Sequence, residues 1–131
     1  MPKDRIPSEH NEQVALMQWV KLSIARYPML ENLHAIPNGG ARHIAVAKKL
    51  KSEGVKKGVP DLCLPHPAND YHGLYIELKR QKASYPTKEQ KEWLERLNNA
   101  GYKAVVCKGW VEAKEVIEVY LNPRGIKNTQ G

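Results

Sequence analysis

Cysteine is scarce: the 131 residues include two, Cys63 and Cys107, both in apolar, strand-like surroundings. No C-x-x-C pair or Cys/His cluster accompanies them. That leaves two reduced core thiols and argues against a zinc site of the usual spacing. Long apolar runs are also missing, and the opening Met1-Pro2-Lys3-Asp4-Arg5 is not a secretory signal, so a cytoplasmic location is expected. There is no internal repeat. The histidines, His10, His34, His43, His66 and His72, share no spacing that would gather them at one site. Acid is in deficit, with 14 Asp and Glu against 21 Lys and Arg, for a net charge of +7.

What is present fits one soluble globular domain. Hydrophobic residues make up 41% and charged residues 27%, enough for a single core at this length. The excess base is concentrated. Between Ala41 and Gly58 stand Arg42, Lys48, Lys49, Lys51, Lys56 and Lys57 against Glu53 alone. Such a segment is the footprint of a phosphate-backbone binder. The competing account is a solvated helix face.

Two short segments carry charge where a sheet has no structural need of it. Gly58-Val59-Pro60-Asp61-Leu62-Cys63-Leu64 places Asp61 at the head of one strand. Leu74-Tyr75-Ile76-Glu77-Leu78-Lys79 places Glu77 and Lys79 two apart in the next, hence on one face. Two carboxylates can hold one hard cation through oxygen, with water filling the remaining positions, and the Leu78 carbonyl between the charged residues is a further oxygen ligand. The cation would be Mg²⁺ or Mn²⁺, and Lys79 would orient water or stabilise developing negative charge. That is the chemistry of phosphodiester hydrolysis. The bland account is an exposed edge strand with a Glu–Lys pair and a turn-forming Pro-Asp.

Along the chain, residues 1–7 read as a loose arm and 122–131 as a Pro/Gly/Asn-rich disordered tail, leaving a domain over 8–121. Ser8 caps a first helix whose apolar pattern runs to about Tyr27, where Pro28 stops it. Leu33 to Ile36 is a short strand, and Pro37-Asn38-Gly39-Gly40 a turn. A basic helix runs from about Arg42 to Glu53. The strands at Asp61–Leu64 and Leu74–Lys79 are joined by a connection short enough to require an antiparallel hairpin. Thr87 and Gln90 have the spacing of a capping box at the head of a third helix. A strand over Tyr102–Cys107 and a helix over Val111–Leu121 complete the order α-β-α-β-β-α-β-α, an α/β arrangement with a small mixed sheet flanked by helices.

Pro60-Asp61 followed by Glu77-Leu78-Lys79 has the form of the PD-(D/E)xK nuclease pattern. With Ile36-Pro37-Asn38-Gly39-Gly40, Arg42, Gly58-Val59, Thr87-Lys88-Glu89-Gln90, Trp93, Gly101-Tyr102 and Gly109-Trp110, the chain from about Glu9 to Leu121 resembles the VRR-NUC family. The resemblance implies a restriction-endonuclease-like fold and a metal-dependent DNA endonuclease of the stand-alone kind found in phages and bacteria. It implies Asp61 and Glu77 as metal-binding carboxylates, Lys79 as the catalytic lysine, and Gln90 as an active-site glutamine. It also implies a first-helix glutamate in the site. Glu12 is favoured because it directly precedes the apolar run, with Glu9 one turn away. Asn38, Gly39, Gly40 and Arg42 would approach a phosphate, joined by Lys48, Lys49, Lys56 and Lys57. Branched DNA such as a four-way (Holliday) junction is the implied substrate. A homodimer would suit symmetric cuts across it.

Two non-catalytic readings compete. Ala45 to Val55 has some likeness to the start of a helix-turn-helix, but Pro60 blocks a helix where the recognition helix is needed. A non-catalytic DNA- or junction-binding module on the same fold is separated from the nuclease by metal-dependent cleavage.

Overall fold

The computed structural model describes residues 6–37 and 44–122. In chain order these form α1 (Glu9–Ser23), a 3₁₀ turn (Pro28–Asn32), β1 (His34–Ala35), α2 (Ile44–Ser52), β2 (Leu62–Leu64), β3 (Leu74–Lys79), α3 (Lys88–Asn99), β4 (Lys103–Lys108) and α4 (Trp110–Leu121). The architecture is the expected α/β one, with the expected element order. The arm over 1–7 and the tail over 122–131 fall largely outside the described residues.

The strands form one sheet in the order β1-β2-β3-β4. β2 pairs antiparallel with both β1 and β3, while β3 and β4 run parallel. The β2–β3 loop is short enough for a hairpin, whereas the parallel β3–β4 pair needs a crossover, which α3 supplies. β3 is therefore a central strand, which removes the edge-strand account of its charges.

Alternation divides β3 between two environments. Leu74, Ile76 and Leu78 pack with Leu62 and Leu64 into the main core, against Leu16 and Val20 of α1 and Ala113, Ile117 and Tyr120 of α4. Each such leucine withdrawn from water contributes about 1.5–3 kcal/mol. Tyr75, Glu77 and Lys79 take the opposite face by the same periodicity. Cys63 and Cys107 are buried free thiols, as expected.

The 3₁₀ turn is not evident from the sequence pattern. α1 ends at Ser23 instead of reaching Tyr27, because Pro28 biases Tyr27 away from helical backbone (φ −127°, ψ 83°). The tighter turn then brings Tyr27, Leu30 and Leu33 to the core at a spacing of three, the 3₁₀ repeat. α3 starts as read from the sequence: the Thr87 hydroxyl accepts from the Gln90 N–H, and the Gln90 side chain accepts from the Thr87 N–H.

Gly58 shows why a glycine precedes Val-Pro-Asp. Its φ is +90°, and a β-carbon there would lie 2.7 Å from the Glu89 carbonyl carbon. Only a glycine lets the chain pass the first turn of α3 so closely and enter β2 with Asp61 at its head.

Candidate active site

Asp61 enters β2 with its backbone carbonyl accepting from the Ile36 N–H at 2.7 Å. Its side chain turns to the neighbouring strand, where Oδ2 accepts the Leu78 N–H at 2.7 Å. The β2–β3 register explains this. Leu62 pairs with Ile76, so Pro60 falls opposite Leu78. Proline has no N–H to offer the Leu78 carbonyl, and the Asp61 carboxylate takes up the Leu78 N–H. One proline thus ends the ladder and leaves an aspartate fixed in its place.

Glu77 is 1% exposed and Lys79 6% exposed. Lys79 Nζ lies 3.6 Å from Glu77 Oε2 and 3.9 Å from Glu9 Oε2. Glu9 is itself held by Ser84, whose hydroxyl donates to Oε2 at 3.0 Å. One buried carboxyl, a half-buried one, a third at the rim and one buried ammonium therefore share a small space. Burial, then the charge of Asp61, pushes the Glu77 carboxyl up to about 8, against the downward pull of Lys79. The Asp61 carboxyl is also raised, chiefly by burial, with the Leu78 N–H opposing. The two carboxyls are within hydrogen-bond reach of each other, a bond that forms only when one carries a proton. Without that proton, Glu77 Oε1 is buried with no hydrogen-bond partner among the described residues.

An orphaned buried carboxylate oxygen beside a second carboxylate costs stability, about 1–3 kcal/mol for the missing bond alone. It is the donor set a hard divalent cation seeks. The described residues contain no group of three or more His, Cys, Asp or Glu suited to a metal. The pair therefore fits a cation such as Mg²⁺, which keeps most of its waters and needs one or two carboxylates, and does not fit an all-protein cage.

Asp61, Glu77 and Lys79 come together as expected from the sequence. Glu12 is placed differently. It is 1% exposed, but both its oxygens are engaged away from Lys79: Oε1 accepts the Trp110 N–H at 2.9 Å and Oε2 accepts from Gln81 Nε2 at 2.8 Å. α4 begins after Gly109, which has no side chain to cap it. Glu12 therefore supplies the missing cap from α1, where a carboxylate also meets the positive end of the helix dipole. The glutamate that reaches Lys79 is Glu9. Gln90 also has a structural engagement, since its side-chain oxygen accepts the Thr87 N–H at 2.8 Å. Lys48, Lys49, Lys56 and Lys57 are exposed, as phosphate contacts must be. Asn38, Gly39, Gly40 and Arg42 lie outside the described residues.

Glu12 and Glu9 are expected to separate cleanly. Glu12→Ala leaves the Trp110 N–H and the Gln81 amide without their acceptor and opens a cavity, for a loss of about 2–4 kcal/mol in urea unfolding. Glu9→Ala, at the rim, changes stability by less than about 1 kcal/mol. A loss at Glu9 matching that at Glu12 would contradict these placements.

Ser84 and Gln81 join the site or its support without any prior sign, and Trp110, part of the family resemblance, joins with no role read for it. Ser84 and Gln81 sit in a polar connection of ordinary composition, and the Trp110 contribution is a backbone N–H. The VRR-NUC domain family matches residues 3–110 of the chain. A solved structure described as a VRR_NUC domain protein superposes with a TM-score of 0.75 at 36% sequence identity, covering 88% of this chain and 89% of that one. No curated protein matches it significantly.

Proposed function

The chain belongs to the VRR-NUC family of nuclease-type domains, and from that premise we propose that it is a Mg²⁺- or Mn²⁺-dependent DNA endonuclease acting on branched DNA, four-way junctions foremost, as a homodimer. The observation that carries the reading is the Asp61–Glu77–Lys79 cluster, in which a buried Glu77 oxygen has no hydrogen-bond partner among the described residues. A fold has no structural use for that arrangement in a central strand, and it matches the needs of phosphodiester hydrolysis.

Asp61 and Glu77 would hold the cation, with the Leu78 carbonyl beside them. When bound, the cation supplies Lewis acidity that neutralises phosphate charge and makes water a better nucleophile. The chain's own groups do the rest. The Leu78 N–H fixes the Asp61 carboxylate in one orientation. Lys79 projects its ammonium into the same space, held between Glu77 and Glu9. There it can orient the attacking water by hydrogen bond and stabilise charge growing on the phosphate oxygens, an effect strengthened by its burial. Glu9, anchored by Ser84, is the first-helix carboxylate of the site in this proposal. Glu12 instead caps α4 and holds the Gln81 side chain.

The exposed lysines of α2 and the following turn supply the phosphate contacts. Four such contacts predict that log K for DNA falls against log salt with a slope of about −3 to −4. Replacing Lys48 and Lys49 together with Ala is expected to reduce the slope by about 2. A slope unchanged by that double substitution would place the DNA elsewhere.

Two active sites related by a two-fold axis suit paired cuts across a junction, because one chain carries one such cluster among its described residues. The deciding experiment is cleavage of labelled four-way junction, flap, linear duplex and single-stranded DNA, with Mg²⁺, with Mn²⁺ and with EDTA. The reading expects metal-dependent cutting, fastest on the junction. Binding without cutting under every metal would leave a junction-binding module in its place.

A further inference from the structure

Tyr85 has no part in the machinery above, yet it is 70% exposed. The chain has no Phe, and every other Tyr and Trp is buried or half-buried. One ring has been left in water while all the others are used in packing.

The ring is held in place. Lys108 Nζ lies over it, 4.1 Å from the centroid. Lys108 is also the register partner of Lys79 across the β3–β4 pair. Directly paired residues of neighbouring strands share a face, so the cation bracing Tyr85 stands one strand from the lysine of the site. The residue before Tyr85 is tied to the same place, since Ser84 donates to Glu9 and Glu9 pairs with Lys79. Ala83 turns the loop with a φ of +54°, a left-handed conformation that a residue with a β-carbon keeps only where its surroundings hold it. Pro86 then fixes the chain on the other side.

We propose that Tyr85 is a stacking platform for an unpaired base beside the scissile phosphate, so that an unstacked nucleotide is the feature of DNA this chain selects. The proposal rests on the reading of the chain as a DNA nuclease and names what that nuclease recognises. A base inside a duplex has both faces covered by its neighbours, and a fixed ring meets one only if the step is forced apart. A base at a branch point, a flap or a frayed end offers an open face, and aromatic stacking accepts any base identity. The Lys108 ammonium over the ring adds a cation for the phosphate next to that base.

The test is equilibrium binding, in Ca²⁺ at fixed salt, of matched single-stranded, four-way junction and blunt duplex oligonucleotides to the full-length wild type, Tyr85→Ala and Tyr85→Trp proteins. The same proteins are assayed for cleavage in Mg²⁺. Tyr85→Ala is expected to weaken single-stranded and junction binding about 5- to 50-fold, and duplex binding less than about 2-fold. Tyr85→Trp should stay within about 3-fold of wild type, because it keeps a π face. An equal loss on all three DNAs, no loss on any, or a wild type that binds no DNA would overturn the proposal. Tyr85-dependent binding without metal-dependent cleavage would sustain the stacking role and sink the nuclease reading. Cleavage indifferent to Tyr85 would do the reverse.

Discussion

Glu77→Gln is expected to make the cation-free protein more stable at pH 8 while abolishing cleavage. The Glu77 carboxyl is raised to about 8 in the folded chain, from an ordinary value near 4.5. Between those values the native state binds more protons than the unfolded state, so stability falls as pH rises through the window. A glutamine keeps the shape, carries no charge to desolvate, and can donate to Asp61 the hydrogen bond that the shared proton otherwise supplies. Because Asp61 takes part in the same titration, a gain of about 1–3 kcal/mol at pH 8 is expected, vanishing near pH 4. In thermal unfolding this is a rise of several degrees, roughly 3–10 °C. Melting curves of both proteins in EDTA at pH 5, 6.5 and 8 check it. A variant less stable than wild type at pH 8 would mean that Glu77 is a structural carboxylate whose charge the fold needs. A gain in stability with loss of activity is the mark of a residue kept for chemistry.

Lys79→Met should be the mirror case. Lys79 is the single cation paired with the two acids at the site among the described ion pairs. On the proposed function its removal would strip the developing phosphate charge of its stabilising partner, and cleavage is expected to fall by at least about 10²- to 10³-fold. Its effect on stability depends on pH in the sense opposite to that of Glu77→Gln. At low pH the buried Glu77 carboxyl is neutral and a methionine stem replaces the lysine stem at little cost. At pH 8 the Glu77 carboxyl, no longer drawn down by the lysine, either keeps its proton against the solvent or ionises without a counter-charge, so the loss grows to about 2–4 kcal/mol. Paired measurements of melting temperature and single-turnover cleavage at two pH values test this. A pH-independent loss of stability with cleavage intact would reduce Lys79 to a packing residue.

The centre of the site was legible in the sequence because strand periodicity alone puts Glu77 and Lys79 on one face, and a Pro-Asp at a strand head supplies the second acid. The central place of β3 was not, since edge and centre differ by which strands pair, and that depends on the α3 crossover. Glu9 and Glu12 lie one helical turn apart, and each is plausible as a cap or a ligand. Long-range partners separate them: Trp110 and Gln81 claim Glu12, while Lys79 and Ser84 claim Glu9. No local pattern carries that information. Gln90 shows a different difficulty. Its spacing from Thr87 fitted both a capping box and a site residue, and the side chain engages the cap. Tyr85 carried no signal, because exposure of one ring in a polar loop becomes apparent only when the other aromatic residues are seen to be packed.

The most direct test of the central claim is nicking of a labelled four-way junction by wild type and Glu77→Gln at equal concentration in Mg²⁺, both proteins first shown to be folded. The account predicts cutting by wild type that EDTA stops, and no detectable cutting by a variant that melts at an equal or higher temperature. Equal cutting by the two proteins would contradict it and move the chemistry away from the Asp61–Glu77–Lys79 cluster.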